Sequence, residues 1–553
     1  MTVCIQYSRP ISGKNDGEIF GLDVAVSNFL TAYFKHSNQQ QFICRPTDFP
    51  SFDHFKALAK AVGVDEQRCV GLDPRHPKHN LGSIDTLFRP DPLIADLAWR
   101  RQQLPSPGFA TCGLVHTMSG ERIARAVGEL LTAPTDENDA LICPSEAIRD
   151  AIHNMWEIQA DYLNHRSGGK FKCPVQTPVI PLGIDTDKFL NLTTADKRTA
   201  QRKALDVNDD EVVVLFIGRL SFATKAHPLA LWQAAERAAQ HLQKKLRIIM
   251  YGYFKPGDME QHFRKLAAET AKNITIEFVM NDDKRFPDGL WAAGDIFTSL
   301  SDNIQESFGL TPVEAMACGL PAIITDWDGY RGSVRDGLDG FLIPTMTPPP
   351  SAGLAIAEAY YNEENYGVSL MGAAQSTSID IDACAKAIGI LAGDEGRRKS
   401  FGDNARTRAQ HIFDWRHIIK AYEELWTELS AKRKASKPKP ALPANWQAVH
   451  PSYPNPWQMF RSFPSSLLTM EDKLTIAMSK DEITALTAHE MNYFIPELLV
   501  PKETMLEMIE LVRKAGSPRV QDIVSAFPPP EHDRILRCIG WMLKHGIATT
   551  GRP

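Results

Sequence analysis

The sequence predicts an α/β protein with two doubly wound parallel sheets in succession, followed by a small, mainly α module. Three observations predict it. Short apolar runs alternate with amphipathic helical stretches over the first 430 or so residues, the pattern of a parallel sheet covered by helices on both faces. The pattern occurs twice, on either side of the polar, aromatic-free stretch LTTADKRTAQRKALDVNDD at 192–210, which reads as a surface helix at a domain junction. A chain of 553 residues also exceeds what one core serves, so about three domains of roughly 100 to 200 residues are expected.

In the first half TVCIQYS, QFICRP, TCGLVHT, ALICPS and PVIPLG read as strands, with helices in FGLDVAVSNFLTAYFKH and SGERIARAVGELLTA. In the second half the strands are EVVVLFIGRL, LRIIMYG, ITIEFVM, DIFTSLS, PAIITD and GFLIP. The stretch 345–380, with three consecutive prolines and a polar middle, reads as a surface excursion at the rim of the second domain and carries no assigned chemistry. The tract SAKRKASKPKPALPAN holds five basic residues and no acid. It reads as a solvated Pro-rich linker; the competing reading is an anionic bilayer contact, at about 1 kcal/mol per charge. The expected division is therefore 1–188, 189–404, a linker at 431–447 and a module at 448–553, with 405–430 returning to the first domain.

Composition excludes several classes. Hydrophobic residues at 43% and charged residues at 23% are ordinary for a water-soluble globular chain. A net charge of −6 gives no general attraction to nucleic acid or anionic lipid. Nine scattered cysteines show neither metal-ligand spacing nor a disulfide framework, which suits a reducing cytosol. The start MTVCIQYSRP lacks a signal peptide's basic and apolar regions, and no run reaches the ~20 apolar residues of a membrane span. The expectation is a cytoplasmic protein, at most peripheral at the inner membrane surface.

The segment QESFGLTPVEAMACG at 305–319 places Glu306 on a loop and Glu314 eight positions later in a short helix. Thr311 and Glu314 have capping-box spacing, Pro312 suits the first helical position and Gly319 the C-terminal cap. The amides of Phe308, Gly309 and Leu310 lie just ahead of that helix, where an anion is favoured. Two acids flanking an anion site make sense as hydroxyl ligands, and a sugar nucleotide carries both hydroxyls and phosphates. Ligands of open parallel sheets gather at the carboxyl ends of strands. There Arg219 and Lys225 follow EVVVLFIG, a planar fork and a mobile point charge suited to a diphosphate. His116 follows TCGLV at the equivalent edge of the first sheet.

FIGRLSFATK, SLSDNIQESFGLTPVEAMACGLPAIITD, VRDGLDGFLIP, PLGIDTDKF and FDWRHIIKAYEEL together resemble glycosyltransferase family four, retaining enzymes built from two facing Rossmann-like domains, the GT-B fold. The resemblance covers roughly residues 1–430. It implies that Arg219 and Lys225 hold the donor diphosphate and stabilise the departing charge. It implies that Glu306 binds donor-sugar hydroxyls, with Ser307 and the amides of Phe308, Gly309 and Leu310 at sugar and phosphate. Glu314 would take the ribose diol, and His116 would contact the sugar from the opposite domain. The strand end FVM at 278–280 would edge the base, and the 413–429 helix would cross back to brace the first domain. No metal or other cofactor is implied. TDWDG at 325–329 imitates a metal-binding Asp-x-Asp, but a turn accounts for Asp326 and Asp328.

Two departures stand out: GKNDGEIFG at 13–21 replaces the family's frequent Gly-Gly pair, and Gly332 stands where many members carry glutamate. The 448–553 module lies outside the resemblance. Its helix order resembles a winged helix, with Ile535, Ile539, Met542 and Leu543 as core. Eight Lys and Arg against six Asp and Glu over 501–553 is a thin surplus for nucleic acid, so a docking or homo-oligomerising role is preferred. The expected function is transfer of a sugar from a nucleotide-sugar donor to an acceptor hydroxyl of undetermined identity. The alternatives are a nucleotide-sugar epimerase of the same fold and a non-catalytic scaffold acting through the C-terminal module.

Overall fold

Strands buried on both faces read as unbroken apolar runs rather than as alternating ones, and the two sheets show why this chain contains so many. The computed structural model describes residues 1–10, 21–73, 81–105, 107–254, 257–361, 366–436, 442–443, 446, 448–492 and 495–551. They divide into two units, Met1–Ala444 and Asn445–Pro553. In the first unit β1 (Val3–Tyr7), β2 (Phe42–Pro46), β3 (Cys69–Gly71), β4 (Thr86–Arg89), β5 (Ala110–Leu114) and β6 (Ala140–Ile142) form a sheet of order β3-β2-β1-β4-β5-β6. A second sheet, of order β12-β11-β10-β7-β8-β9, contains β7 (Glu211–Leu220), β8 (Lys245–Phe254), β9 (Ile274–Met280), β10 (Ile296–Ser299), β11 (Ala322–Thr325) and β12 (Gly340–Ile343). Every pairing within both sheets is parallel. In each, strand order reverses at the middle, between β1 and β4 and between β7 and β10. Loops leaving the carboxyl ends diverge there and open a crevice.

β3 and β4 are not anticipated by the sequence reading. PVIPLG, expected as a strand, makes only an isolated parallel bridge, Cys143 with Val179. Pro178 and Pro181 lack the N–H groups a ladder needs. The polar stretch 192–210 forms the helix Ala195–Ala204 with no buried residue.

The helix Trp415–Ala435 lies on the first sheet. Trp415, Ile418, Ile419, Tyr422, Leu425, Trp426 and Leu429 recur at helical spacing and join the core beneath it, with Trp426 5.3 Å from the Phe88 ring. At about 1.5–3 kcal/mol per large side chain, burial of this stripe stabilises the lobe by on the order of 10 kcal/mol. This corrects the linker boundary at 431. The helix runs on to Ala435, and Arg433, only 4% exposed, bonds both Asp136 oxygens at 2.7 Å and Asp139 at 3.2 Å. Lys432 and Lys434 pair with Glu428 and Asp85. Three of the tract's five basic residues are thus structural; 437–441, 444, 445 and 447 lie outside the described residues.

The 345–380 segment forms a pair of helices, Leu354–Tyr361 and Tyr366–Gln375, closed by the antiparallel strands Thr345–Met346 and Ser378–Ile379; 362–365 lie outside the described residues. The second unit packs helices Lys480–Thr487, Lys502–Ala515, Val520–Ser525 and His532–Lys544 with a two-stranded antiparallel sheet, Thr475–Ile476 and Ala548–Thr549. Ile535, Ile539 and Met542 are fully buried in its core, and Leu543 packs against it. Among the described residues no helix is long and apolar enough to cross a membrane.

Candidate active site

The loops that follow β7 and β10 flank the reversal point of the second sheet and are stitched to one another. Asn303 Nδ2 donates to the Ala223 carbonyl at 2.9 Å, Ser301 Oγ to the Lys225 carbonyl at 3.3 Å, and the His227 amide to Asp302 Oδ2 at 3.2 Å. This lattice brings Lys225 to Glu306: Nζ lies 2.5 Å from Oε2 and 3.4 Å from the Tyr330 hydroxyl. Burial pulls the Lys225 pKa down, but the Glu306 carboxylate and Tyr330 outweigh it and hold the ammonium charged. Arg219 is the penultimate residue of β7, paired with Tyr253, and its guanidinium donates to the Thr224 carbonyl of the Lys225 loop at 3.4 Å. It forms no ion pair with Glu306.

Glu306 leads into Ser307, Phe308 and Gly309. Phe308 turns its ring into the core, 5.9 Å from Phe413, so only its backbone serves the loop. Gly309 has φ +83°, and a β-carbon there would lie 2.0 Å from the Tyr330 ring, which leaves room for no side chain. The helix Leu310–Ala317 starts at this glycine, and its first amides lack intrahelical partners.

This corrects the capping box. Gly309 is the N-cap, no side chain caps the helix, Thr311 Oγ1 is buried without a partner, and Pro312 is the third helical residue. Gly319 behaves as expected: at φ +77° its amide bonds the Met316 carbonyl and that of Leu320 bonds Ala315, a Schellman closure. Released from capping, Glu314 is a half-buried carboxyl whose pKa burial pushes up to about 7, against the pull of Lys188 and Lys225.

The first lobe meets this loop directly. Ser307 Oγ donates to the His116 carbonyl, Ser145 Oγ donates to the Ser307 carbonyl at 2.8 Å, and Thr117 Oγ1 donates to the Gln305 carbonyl at 3.4 Å. His116 Nε2 lies 3.1 Å from the Pro90 carbonyl, which can only accept, so that nitrogen carries the proton and Nδ1 is the acceptor. Burial lowers its pKa to about 4 despite Pro90 and Asp91. The imidazole is therefore neutral near pH 7, a hydrogen-bonding group rather than a proton carrier.

Lys225, Glu306, Ser307 and the His116 backbone are thus drawn together. Arg219 reaches the Lys225 loop from the end of β7, and Glu314 lies close enough to Lys225 to feel its charge. FVM ends at Met280, paired with Gly252. In TDWDG, Asp326 is held by Arg331 at 2.7 Å and Asp328 opens a turn, its carbonyl accepting from the Arg331 amide. The Gly332 carbonyl accepts from Arg408. Residues 13–20 of GKNDGEIFG lie outside the described residues.

The sequence reading missed Tyr330. Fully buried, it joins Ser299 Oγ at 2.8 Å to Lys225 and packs against Gly309. The aromatic after a turn was its one local signal. Ser145 was also missed; as the N-cap of Glu146–Ser167 its hydroxyl already had a structural explanation.

The family comparison falls on this same part of the chain. Residues 197–367 match the family model Glycosyl transferases group 1. A D-inositol 3-phosphate glycosyltransferase of Geodermatophilus obscurus is 34% identical over 179 residues, 32% of this chain and 38% of that protein. Its namesake in Kribbella flavida is 26% identical over 247 residues, 44% and 48% of the two chains. The matched part therefore spans half or less of these relatives. Two crystal structures share the fold. The Anabaena protein HepE in complex with UDP has a TM-score of 0.51 at 17% identity, covering 77% of this chain and 100% of that one. A Rickettsia africae glycosyltransferase has a TM-score of 0.52 at 15% identity, covering 77% and 98%. The first 430 or so residues thus adopt the two-sheet GT-B architecture.

Proposed function

We propose that the chain is a retaining glycosyltransferase that moves a sugar from a nucleoside diphosphate to an acceptor hydroxyl. One observation carries the reading: the Lys225–Glu306 contact sits at the reversal point of the second sheet, inside the glycosyltransferase segment, against the Ser307 loop that the first lobe grips. Arg219 and Lys225 take the diphosphate. As the bond from the anomeric carbon to the phosphate oxygen breaks, the electron pair leaves with the diphosphate, and these cations stabilise it. The acceptor oxygen bonds the same carbon on the same face, and its proton passes to the leaving phosphate. Glu306 and the amides from Phe308 to Leu310 hold the sugar, Glu314 the ribose diol, and neutral His116 a sugar hydroxyl. No metal is required, since Arg219 and Lys225 supply the positive charge and Asp326 is engaged with Arg331. Nine unpaired thiols, eight of them buried, favour a reducing compartment, the cytoplasm.

The test is a panel of nucleotide sugars scored by thermal shift and slow donor hydrolysis, with and without a chelator, repeated with Glu306→Ala and Arg219→Ala. One donor base stabilises the wild type, and both variants lose at least tenfold in hydrolysis. Unchanged behaviour in both variants removes the site assignment, and loss on chelation restored by a divalent ion removes the metal-free reading.

A further inference from the structure

Beside the Ser307 loop the cleft opens into a cavity of about 810 Å³, within the roughly 300–1,000 Å³ range of small-molecule sites. One wall is the helix Glu146–Ser167, through Ile148, Ala151 and Met155; the facing wall is the helix Leu354–Tyr361, through Ile356, Ala357 and Tyr360. That second wall belongs to the 345–380 excursion. It reaches the first lobe, where the Tyr360 hydroxyl donates to the Met118 carbonyl at 3.1 Å and the Arg125 guanidinium lies 6.0 Å from the Tyr361 ring. The excursion is therefore no mere rim decoration.

Trp327 and Asp328 also line the cavity. Asp328 adopts φ +44°, a conformation that costs a non-glycine residue energy, and its buried Oδ1 has no hydrogen-bond partner. The next residue, Gly329, packs against Ser307 and Phe308 so closely that a β-carbon would lie 2.3 Å from the Ser307 carbonyl oxygen. Asp328 thus stands at the edge of the transfer site. Burial and the nearby Glu306 charge raise its pKa well above the usual range, so its carboxyl can both donate to and accept from a hydroxyl. The cation lining this space, Arg331, is already paired with Asp326, which suits a phosphorylated polyol poorly. The helix Leu354–Tyr361 and its partner also expose Leu354 and Val368 to solvent, as fits an acceptor arriving from an amphiphile phase rather than from free solution.

We propose that this cavity is the acceptor subsite and takes the alkyl chain of an amphiphilic alcohol, with Asp328 orienting the hydroxyl-bearing head group at the end nearest Ser307. This rests on the transferase reading above. The test compares n-octyl β-D-glucoside, below its micelle-forming concentration, with methyl β-D-glucoside, which has the same head group and no chain. D-inositol 3-phosphate is the third acceptor. Wild-type protein is first shown to bind a nucleotide sugar by thermal shift; absence of any shift overturns the transferase reading and this inference with it. Given donor binding, transfer to octyl glucoside has a KM at least tenfold below that of the methyl compound. Ala357→Trp, which fills the cavity, and the milder Tyr360→Phe, which loosens its wall, both raise the octyl KM. Asp328→Asn lowers kcat for octyl glucoside more than it changes KM. Equal KM values for the two glucosides with donor binding intact, or preferred use of D-inositol 3-phosphate, overturns the inference alone.

Discussion

Replacing Arg433 by Met tests whether the end of the crossing helix is structural. Arg433 and Arg101 face Asp136 and Asp139 in a site where all four side chains are at most 6% exposed. Arg101 binds both Asp139 oxygens, at 2.5 and 2.8 Å, but lies 3.6 Å from Asp136. Asp136 also accepts from the Asn138 amide at 2.9 Å, but Arg433 supplies its two close charged bonds, and Arg433→Met removes both from a buried carboxylate. Removing one member of a buried pair costs about 3–5 kcal/mol. With a denaturant slope of about 2 kcal/mol per molar, the urea midpoint falls by about 2 M. Unfolding followed by tryptophan fluorescence reports it, since Trp415 and Trp426 lie on the same helix. Adding Asp136→Asn to Arg433→Met removes the stranded charge and recovers much of the loss. A midpoint change worth under about 1 kcal/mol, or strictly additive effects of the two substitutions, would refute the reasoning and return the segment to the status of a solvated linker.

Tyr330→Phe deprives buried Ser299 of its partner and Lys225 of one anchor; melting shows a loss of about 1–2 kcal/mol, and nucleotide-sugar affinity weakens several-fold in titration calorimetry. Glu314→Gln tests the burial of that acid. Its pKa is raised from the ordinary 4.5 to about 7, so the folded state binds the proton more tightly, and this contribution, full below about pH 4.5, is lost as pH rises to 7. The variant should match the wild type near pH 4.5 and melt higher at pH 8, whereas a constant difference between the two pH values refutes the assignment.

In the second sheet the longest strands were legible because they are apolar and bounded by turn residues: EVVVLFIGRL coincides with β7 and ITIEFVM with β9; the four-residue β10, β11 and β12 were read from apolar runs beside Gly, Pro and Asp. β3 and β4 were not, because CVG and TLFR are too short to show a period and owe their strand state to β2 and β5 beside them. The approach of Lys225 to Glu306 was readable from the places of both residues after strands, but the start of the Leu310–Ala317 helix was misread. There a tertiary contact, the Tyr330 ring against Gly309, overrides the local capping pattern. TDWDG likewise read only as a turn, since nothing local shows that its aspartate lines a cavity or that the tyrosine after it reaches Lys225. The end of the crossing helix was legible in principle: Trp426, Leu429 and Arg433 continue the buried stripe at helical spacing, although the tract's composition suggested solvent.

Ser307 is held by the first lobe through both its side chain and its carbonyl, one residue from Glu306. Any motion that parts the two sheets must break those bonds along with Thr117–Gln305 and Tyr360–Met118, so the loop that carries Glu306 is itself part of the latch between the lobes. Under the transferase reading proposed above, opening the jaw and dismantling the sugar's seat become one mechanical event. Whatever loosens the latch should speed product departure and degrade the alignment of the next substrate together.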